Sequence, residues 1–397
     1  MLAKTCKAIW KTGGFKMLNS RGFPCLNGES EIRKNDQGEY NNGLEFRCPS
    51  CKGNLIANTN TLVCTSCSSQ WDIVDGIPKF SKTNRYFGEI PQKQMHECIS
   101  TAEKYGWRTA LKSAGRIHPW VYKYAADPSR ADWRFLLPMT KKDIVLDVGC
   151  GWGNITFSLA QTAGLVVAID PVFERVKFLD IRKKQEKMTN ICCACADVLD
   201  FPFPENYFDT IILNGVLEWI GWSDNQSNPR RAQEKALQKI FDGLKENGNL
   251  YIGIENRFGL NYLLGEKDPH SNLPFITLLP RKLADLYSQI SKGESYTAYT
   301  YSYNEYIKLL SKVGFSTIEF YCPIPDYREF KFIFSLDGSP QFQYLMKRLV
   351  NERYVKSKNW AKFMYLSKLC RLHKVPMRIV KHFVPSFSIV CKKRNIK

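Results

Sequence analysis

The chain has 397 residues, with 57 Lys and Arg against 38 Asp and Glu, and a formal net charge of +19. That length suits two to three domains, and no apolar run reaches the roughly 18 residues of a membrane helix. The charge is uneven: residues 340–397 hold fifteen Lys or Arg against the single acid Glu352, while residues 41–339 carry only +2, so total charge excludes nothing about the middle of the chain and speaks for anionic partners only at the tail.

In chain order, residues 1–43 are rich in Asn, Gly, Lys and Glu without periodicity, and weak order is expected there; the basic start lacks the apolar stretch of a signal peptide. Residues 44–80 hold Cys48-x2-Cys51, twelve residues, then Cys64-x2-Cys67. Each pair sets two thiolates on one tight knuckle, and two knuckles complete a closed tetrahedral site, so a structural zinc is expected. Several of the other cysteines sit in apolar runs such as "ICCACAD", as reduced cytoplasmic thiols do rather than a secreted disulfide framework. Residues 81–140, with aromatics in "YGWRTAL" and "HPWVYKYAADPSRADWRFLLP", are expected to form short helices.

From residue 141 to 338 strands alternate with helices. Strands are predicted at "DIVLDVG", "LVVAID", "ICCACAD", "FDTIILNGV" and "GNLYIGIE", with helices over 154–163, 172–187 and 229–246. A helix at "YNEYIKLLSKVGF" precedes strands at "TIEFYCPIP" and "FKFIFSL", joined too closely for a helical crossover and so expected to be antiparallel. Near-continuous apolar strands between helices imply an α/β fold: a seven-stranded, doubly wound, mostly parallel sheet. Residues 339–397 are read as a basic helical extension ending in a strand.

"VLDVGCGWGN" ends a strand at Asp147 and follows it with Gly149, Gly151 and Gly153 before a helix. Glycines at such a turn let backbone N–H groups approach a ligand at the carboxyl ends of the strands. The dinucleotide fingerprint fails, because Asn154 stands where its third Gly belongs. An acid at Asp147 suits a cationic ligand with an ammonium and a sulfonium better than a pyrophosphate. The second strand ends in Asp170, placed to accept ribose hydroxyls, and the third in Asp197, placed to accept from an adenine amino group.

These three acids at successive strand ends resemble the class I S-adenosylmethionine-dependent methyltransferases over roughly residues 143–335. The resemblance implies S-adenosyl-L-methionine as cofactor, bound by Asp147, Gly149, Gly151, Gly153, Asp170, Asp197, Val198 and Asn214. The module's end, "WDIVDGIPKF", resembles the zinc-ribbon segment that precedes many bacterial small-molecule methyltransferases, and equally the small zinc-ribbon activator of tRNA and protein methyltransferases. The ribbon therefore does not choose a substrate.

The acceptor should lie above the fourth and fifth strands, near "NGVLEWIGW" and "IGIENRFGLNYLLGEKDPHSN". "NGVLEW" lacks the Asn/Asp-Pro-Pro-aromatic pattern of enzymes that methylate base amino groups. With "ADWRFLLP", "SYNEYIKLLSKVGF", "YCPIPDYREFKFIFS" and "HFVPSFSIVCKK", these stretches resemble a bacterial group found with glycosyltransferases in surface-polysaccharide gene clusters. That resemblance implies O-methylation of a sugar, sugar phosphate or related small molecule. Glu218, Glu255, Asn256, Arg257, His270 and Tyr303 are the substrate-side candidates. Of these His270, Glu218, Glu255 and Arg257 carry the expected chemistry: His270 as the group titrating near neutrality, Glu218 as a second proton acceptor, and Arg257 as partner to a phosphate or carboxylate. Cys150 reads as packing.

The tail interleaves Leu, Met, Trp, Phe and Tyr with Lys and Arg. It can be a solvated outer face, or rest on an anionic membrane surface, making a cytoplasmic protein membrane-peripheral. Contact with RNA phosphates is the runner-up, giving an RNA methyltransferase docked by ribbon and tail. A third reading is a cofactor-binding, non-catalytic scaffold in a polysaccharide assembly complex.

Overall fold

The structure is a computed structural model and describes residues 44–82, 86–221, 228–337, 344 and 374–394. The N-terminal segment 1–43 and most of the basic tail, with the readings placed on them, lie outside the described residues. Four short strands come first: β1 (Leu55–Ala57), β2 (Thr61–Cys64), β3 (Gln70–Val74) and β4 (Ile77–Lys79). Helices follow: α1 (Gln92–Tyr105), α2 (Trp107–Ile117), α3 (Pro119–Ala126) and a 3₁₀ stretch Pro128–Leu136. Then β5 (Ile144–Val148), α4 (Asn154–Ala160), β6 (Leu165–Asp170), α5 (Phe173–Gln185), β7 (Ile191–Cys195) and β8 (Phe208–Asn214) alternate. They continue through α6 (Pro229–Gly243), β9 (Leu244–Glu255), α7 (Leu260–Leu263), α8 (Arg281–Lys292) and α9 (Tyr303–Val313). The chain closes with β10 (Phe315–Ile324), β11 (Phe332–Ser335), α10 (Met377–Val380) and β12 (Ser386–Lys393).

One sheet runs through the molecule in the order β1-β2-β3-β4-β7-β6-β5-β8-β9-β12-β10-β11. Its parallel centre, β7-β6-β5-β8-β9, is held by residues that pack on both faces: Val145, Leu146, Val166, Val167, Ile211 and Ile212 are all fully buried. Trp133 of the lead-in stacks on Tyr251 of β9 with ring centroids 3.7 Å apart. α1, α2 and α3 share a separate core with Trp152 and Phe178, which sets them over α5 and beside the glycine loop.

Two sequence expectations are corrected here. The sheet has twelve strands, not seven, because the four strands of the cysteine module and the C-terminal β12 join it. β4 pairs with β7 at Lys79↔Cys195, the N–H groups of Phe80 and Ser81 both donate to the Cys195 carbonyl, and Leu62 and Phe80 share a core with Phe201, Phe203 and Phe208. A small module with so little apolar surface of its own gains stability by extending a large sheet and core. The second correction concerns the strand beside β9. β10 and β11 are antiparallel as expected, but β12 inserts between β9 and β10, pairing antiparallel to both. Phe387, Ile389 and Cys391 of β12 are fully buried, whereas β11 is half exposed; the eight-residue strand takes the centre and the four-residue strand the edge, where short strands are tolerated. The expected boundary at 338 therefore falls between neighbours in one sheet. α8 also had no counterpart among the predicted elements, although Leu283, Leu286 and Ile290 recur at helical spacing; it turns these three to solvent and Ala284 and Ser288 inward. Among the described residues no helix is long and apolar enough to cross a membrane.

Candidate active site

A cleft of about 960 Å³ opens at the carboxyl ends of β5, β6, β8 and β9, where open α/β sheets bind ligands. It holds the glycine loop at one end and the Glu218–Glu255–His270 group at the other.

At the first end β5 stops at Val148 and the backbone turns through Gly149 and Gly151, with φ of 69° and 52°. A Cβ on Gly149 would stand 2.5 Å from Val216 Cγ2, and a Cβ on Gly151 would meet nothing, so Gly151 leaves open space along the cleft wall. The Gly151 N–H donates to Asp170 Oδ2 at 3.1 Å, and Val172 N–H to Asp170 Oδ1 at 2.9 Å. Burial pushes Asp170 above the ordinary carboxylate range, with Arg175, 3.4 Å from Oδ2, opposing that push. Arg175 also pairs with Glu89 at 2.9 Å, and Glu89 accepts from Trp152 Nε1 at 3.0 Å. Burial pulls Glu89 upward, but Arg175 and the indole N–H outweigh it and hold Glu89 below its usual range. Asp197, Val198 and Asn214 line the same cleft, and Asn214 Oδ1 is buried without a hydrogen-bond partner.

Two of the expected cofactor residues stand behind the wall instead of in it. Asp147 is buried, accepts the Thr156 hydroxyl at 2.6 Å, and is pushed up to about 7 by burial. Gly153 caps α4 with φ of 85° against Leu179. Cys150 is buried, and burial raises its thiol well above the ordinary range.

At the second end, β8 and β9 are parallel neighbours with Asn214 opposite Gly253, so the residues just past them rise side by side. Glu218 follows in a 3₁₀ turn Leu217–Trp219, and Glu255 ends β9. His270 comes from the loop beyond, which Asp268 pins by accepting from both the N–H and hydroxyl of Ser271 at 2.7 Å. Asp268 Oδ1 also lies 3.0 Å from His270 Nδ1, leaving Nε2 turned to Glu218 Oε1 at 3.7 Å. Trp219 packs edge-on to the imidazole, with centroids 4.8 Å apart. Tyr327 OH sits 3.1 Å from Glu255 Oε1 and 3.5 Å from Glu218 Oε1, and Arg328 approaches Glu255 Oε1 at 3.8 Å. The second oxygens, Glu218 Oε2 and Glu255 Oε2, are buried and have no partner. Burial and the neighbouring Glu218 raise Glu255. Burial alone would lower His270, but Asp268, Glu218 and Glu255 raise it well above its ordinary value.

Three other candidates face away. Arg257 donates to the carbonyls of Thr277 and Leu279 at 3.1 and 3.0 Å and pairs with Glu305 at 3.5 Å, which ties the loop after β9 to its own neighbours. Asn256 donates to the carbonyls of His382 and Val384 at 2.9 and 2.8 Å. Tyr303 packs under Phe320 and Phe387. None of the three lines the cleft; each satisfies buried polar groups or fills core. Sequence reading missed Glu89, Arg175, Asp268, Tyr327 and Arg328. Only Asp268 had a local signal, the Asp-Pro-His-Ser turn.

In the cysteine module, Cys48 and Cys67 Sγ atoms lie 3.7 Å apart and Cys51 and Cys64 3.4 Å, with all four within 4.8 Å of one another. A tetrahedral zinc with Zn–S bonds of about 2.3 Å sets sulfurs about 3.8 Å apart, so the four thiols fit that ion.

Residues 139–304 match a family described as a methyltransferase domain. Over 128 residues the chain is 30% identical to the mitochondrial ubiquinone biosynthesis O-methyltransferase of Rattus norvegicus, covering 30% of this chain and 33% of that protein. Over 75 residues it is 41% identical to a probable ribosomal RNA small subunit methyltransferase A of Methanosarcina barkeri, covering 18% of this chain and 24% of that one. A solved structure of Haemonchus contortus phosphoethanolamine N-methyltransferase 2 with S-adenosyl-L-methionine aligns with 75% of this chain and 60% of its own, at 16% identity and a TM-score of 0.39. The match spans about a third or less of these two curated relatives. The chain carries a class I S-adenosylmethionine-dependent methyltransferase domain of Rossmann-like α/β fold.

Proposed function

We propose that this protein methylates a hydroxyl of a carbohydrate-type small molecule, a sugar or sugar phosphate of surface-polysaccharide or related biosynthesis, with S-adenosyl-L-methionine as methyl donor. The observation that carries the reading is the pair of buried, unpartnered carboxylate oxygens, Glu218 Oε2 and Glu255 Oε2, in the same cleft as the glycine loop. Buried acceptors without donors are costly in the free protein, and hydroxyl groups satisfy them.

The residues at the loop end suit the cofactor. Gly151 leaves room beside the backbone, Asp170 presents a carboxylate to ribose hydroxyls, Asp197 and Val198 flank an adenine, and Asn214 Oδ1 offers an unfilled acceptor to a cation. When bound, the cofactor supplies an electrophilic methyl group on sulfur. This chain supplies alignment, which contributes roughly 7–11 kcal/mol in such displacements. Glu218 and Glu255 orient the acceptor hydroxyl, and its proton passes to Glu218 as the oxygen takes the methyl group. Because three carboxylates surround His270 and favour its cation, the first proton acceptor in this arrangement is Glu218 rather than the imidazole. Both ligands fit a cleft of this size, with the hydroxyl end enclosed by Trp219, Tyr327 and Arg328. The carbohydrate class rests on the resemblance of the stretches around Glu218, Glu255 and His270 to the polysaccharide-cluster group.

Cys48, Cys51, Cys64 and Cys67 would hold a zinc ion with no open position, so its role is structural. It fixes the knuckles from which Lys52 Nζ reaches the Phe201 carbonyl at 2.6 Å, joining module to sheet.

The test is transfer of labelled methyl from S-adenosyl-L-methionine onto three pools: nucleotide sugars, sugar phosphates and total RNA. Label in either sugar pool supports the reading. Label in RNA alone overturns it in favour of the runner-up, and cofactor binding with no acceptor in any pool favours the scaffold.

A further inference from the structure

We infer that Glu218, Glu255 and His270 form a binding site for a hard divalent cation of the Mn²⁺ or Mg²⁺ class at the acceptor end of the cleft. The ligand atoms of the three residues lie within 4.8 Å of one another. They come from three separate segments, the turn after β8, the end of β9 and the pinned loop, so their convergence is a property of the fold and not of one acidic run.

The surrounding contacts divide the atoms of these residues into those already used and those free. Tyr327 OH occupies the Oε1 atoms of both glutamates, at 3.1 and 3.5 Å, and leaves both Oε2 atoms buried without a partner. Asp268 takes the Nδ1 side of His270 at 3.0 Å and leaves Nε2 on the side of Glu218. Metal-ligating histidines are oriented in this way by a carboxylate on the other ring nitrogen, and ligating carboxylates by hydrogen bonds to their second oxygen. Asp268 and Tyr327 are thus positioning residues for the three ligands. Charge points the same way. Three buried carboxylates, Glu218, Glu255 and Asp268, meet one imidazole, and the Arg328 guanidinium at the rim is shared between Glu255 and Asp326. The excess is negative. Two carboxylates and one imidazole favour hard or borderline divalent ions over the soft ions that thiolates select, which separates this site from the four-cysteine module.

The consequence for catalysis rests on the reading under Proposed function, whereas the site itself does not. A cation held here would take the place of the His270 Nε2 proton and of a hydroxyl on the glutamate oxygens, lie against the acceptor oxygen and favour its deprotonated form, so methyl transfer would require the ion.

The experiment is titration of the full-length protein with Mn²⁺, followed by electron paramagnetic resonance of the free ion and by thermal unfolding, without cofactor or acceptor. One high-affinity Mn²⁺ per chain is expected, with a rise in unfolding temperature. Glu218→Gln and Glu255→Gln should remove it while circular dichroism stays unchanged, and Asp268→Asn should weaken it roughly 10–100-fold, the usual effect of losing such an orienting group. Absence of Mn²⁺ binding in the folded wild-type protein overturns the proposal, as does equal binding by both Gln variants. Methyl transfer that persists unchanged in chelator overturns the requirement of catalysis for the ion and leaves the hydroxyl-methylating reading standing, while the titration alone decides the site. Mn²⁺ binding lost in the Gln variants, with no methyl acceptor found, supports the site and counts against that reading alone.

Discussion

The two ends of the cleft are built by different means. The cofactor end is made by strand ends that follow one another in the chain: Gly149 and Gly151 after β5, Asp170 at the end of β6, Asp197 after β7. Much of its surface is backbone. The acceptor end is made by side chains from four distant segments, Glu218, Glu255, Asp268 with His270, and Tyr327 with Arg328. Its geometry depends on contacts between those segments. The comparison implies that the two ends can be damaged independently.

The largest separation should come from Asp170→Ala and Glu218→Gln. Asp170→Ala removes the carboxylate that Gly151 N–H, Val172 N–H and Arg175 all contact. Its affinity for S-adenosyl-L-methionine, measured by calorimetry, should fall by about 100-fold or more, equivalent to roughly 2.7 kcal/mol. Retained affinity would contradict the placement of the cofactor. Glu218→Gln should instead lower kcat by roughly 10²–10⁴-fold, the range for a lost proton acceptor. Its cofactor affinity should stay within about three-fold of wild type, since Glu218 lies beyond the loop. Equal loss of both quantities in either variant would show that the two ends act as one unit.

Much of this contrast was legible in the sequence, and for a physical reason. Strand ends in a doubly wound sheet follow local patterns: an apolar run, then Gly or Asp, then a helix. Gly149, Gly151, Asp170 and Asp197 could be found that way, as could the four cysteines from their spacing. Which way a side chain points is not local. Glu255, Asn256 and Arg257 are adjacent in the chain, yet Glu255 enters the cleft while Asn256 and Arg257 turn to the carbonyls of His382, Val384, Thr277 and Leu279. Tyr327 and Arg328 arrive from beyond β10, with Tyr327 N–H donating to Ser386 Oγ of β12. Without the position of β12 in the sheet, no pattern marks them. The ribbon's pairing with β7 was hidden for the same reason, because Lys79↔Cys195 is a contact between segments that are each ordinary alone.

A smaller effect sharpens the cofactor end. Asp147 is buried behind the loop and pushed up to about 7 by burial, from an ordinary 3.8. With its folded value raised, the native state holds a proton that the unfolded chain releases between about pH 4 and 7. Stability should therefore be greatest below pH 4 as far as this group is concerned, fall as pH rises through 7, and then level off. The difference bounds the effect at ~4 kcal/mol. Asp147→Asn keeps a partner for the Thr156 hydroxyl and should flatten this part of the stability profile, as read by denaturant unfolding at pH 5 and pH 8. An unchanged slope would mean the carboxylate is solvated or paired otherwise.

The smallest effect on chemistry should come from Arg257→Ala. Its guanidinium serves the Thr277 and Leu279 carbonyls, so stability should drop by about 1–3 kcal/mol as those partners are left unsatisfied, while kcat per folded molecule stays within about two-fold. A selective loss of turnover would return Arg257 to the acceptor site.

The central claim is that the Glu218–Glu255–His270 end of the cleft receives an acceptor hydroxyl and the glycine-loop end receives the methyl donor. It is tested most directly by labelled methyl transfer to nucleotide sugars and sugar phosphates, with wild type and Glu218→Gln compared at saturating S-adenosyl-L-methionine. The account predicts label in the sugar pool for wild type and a roughly 10²–10⁴-fold slower rate for the variant at unchanged cofactor affinity. Equal rates for the two proteins, or label carried by RNA alone, would contradict it.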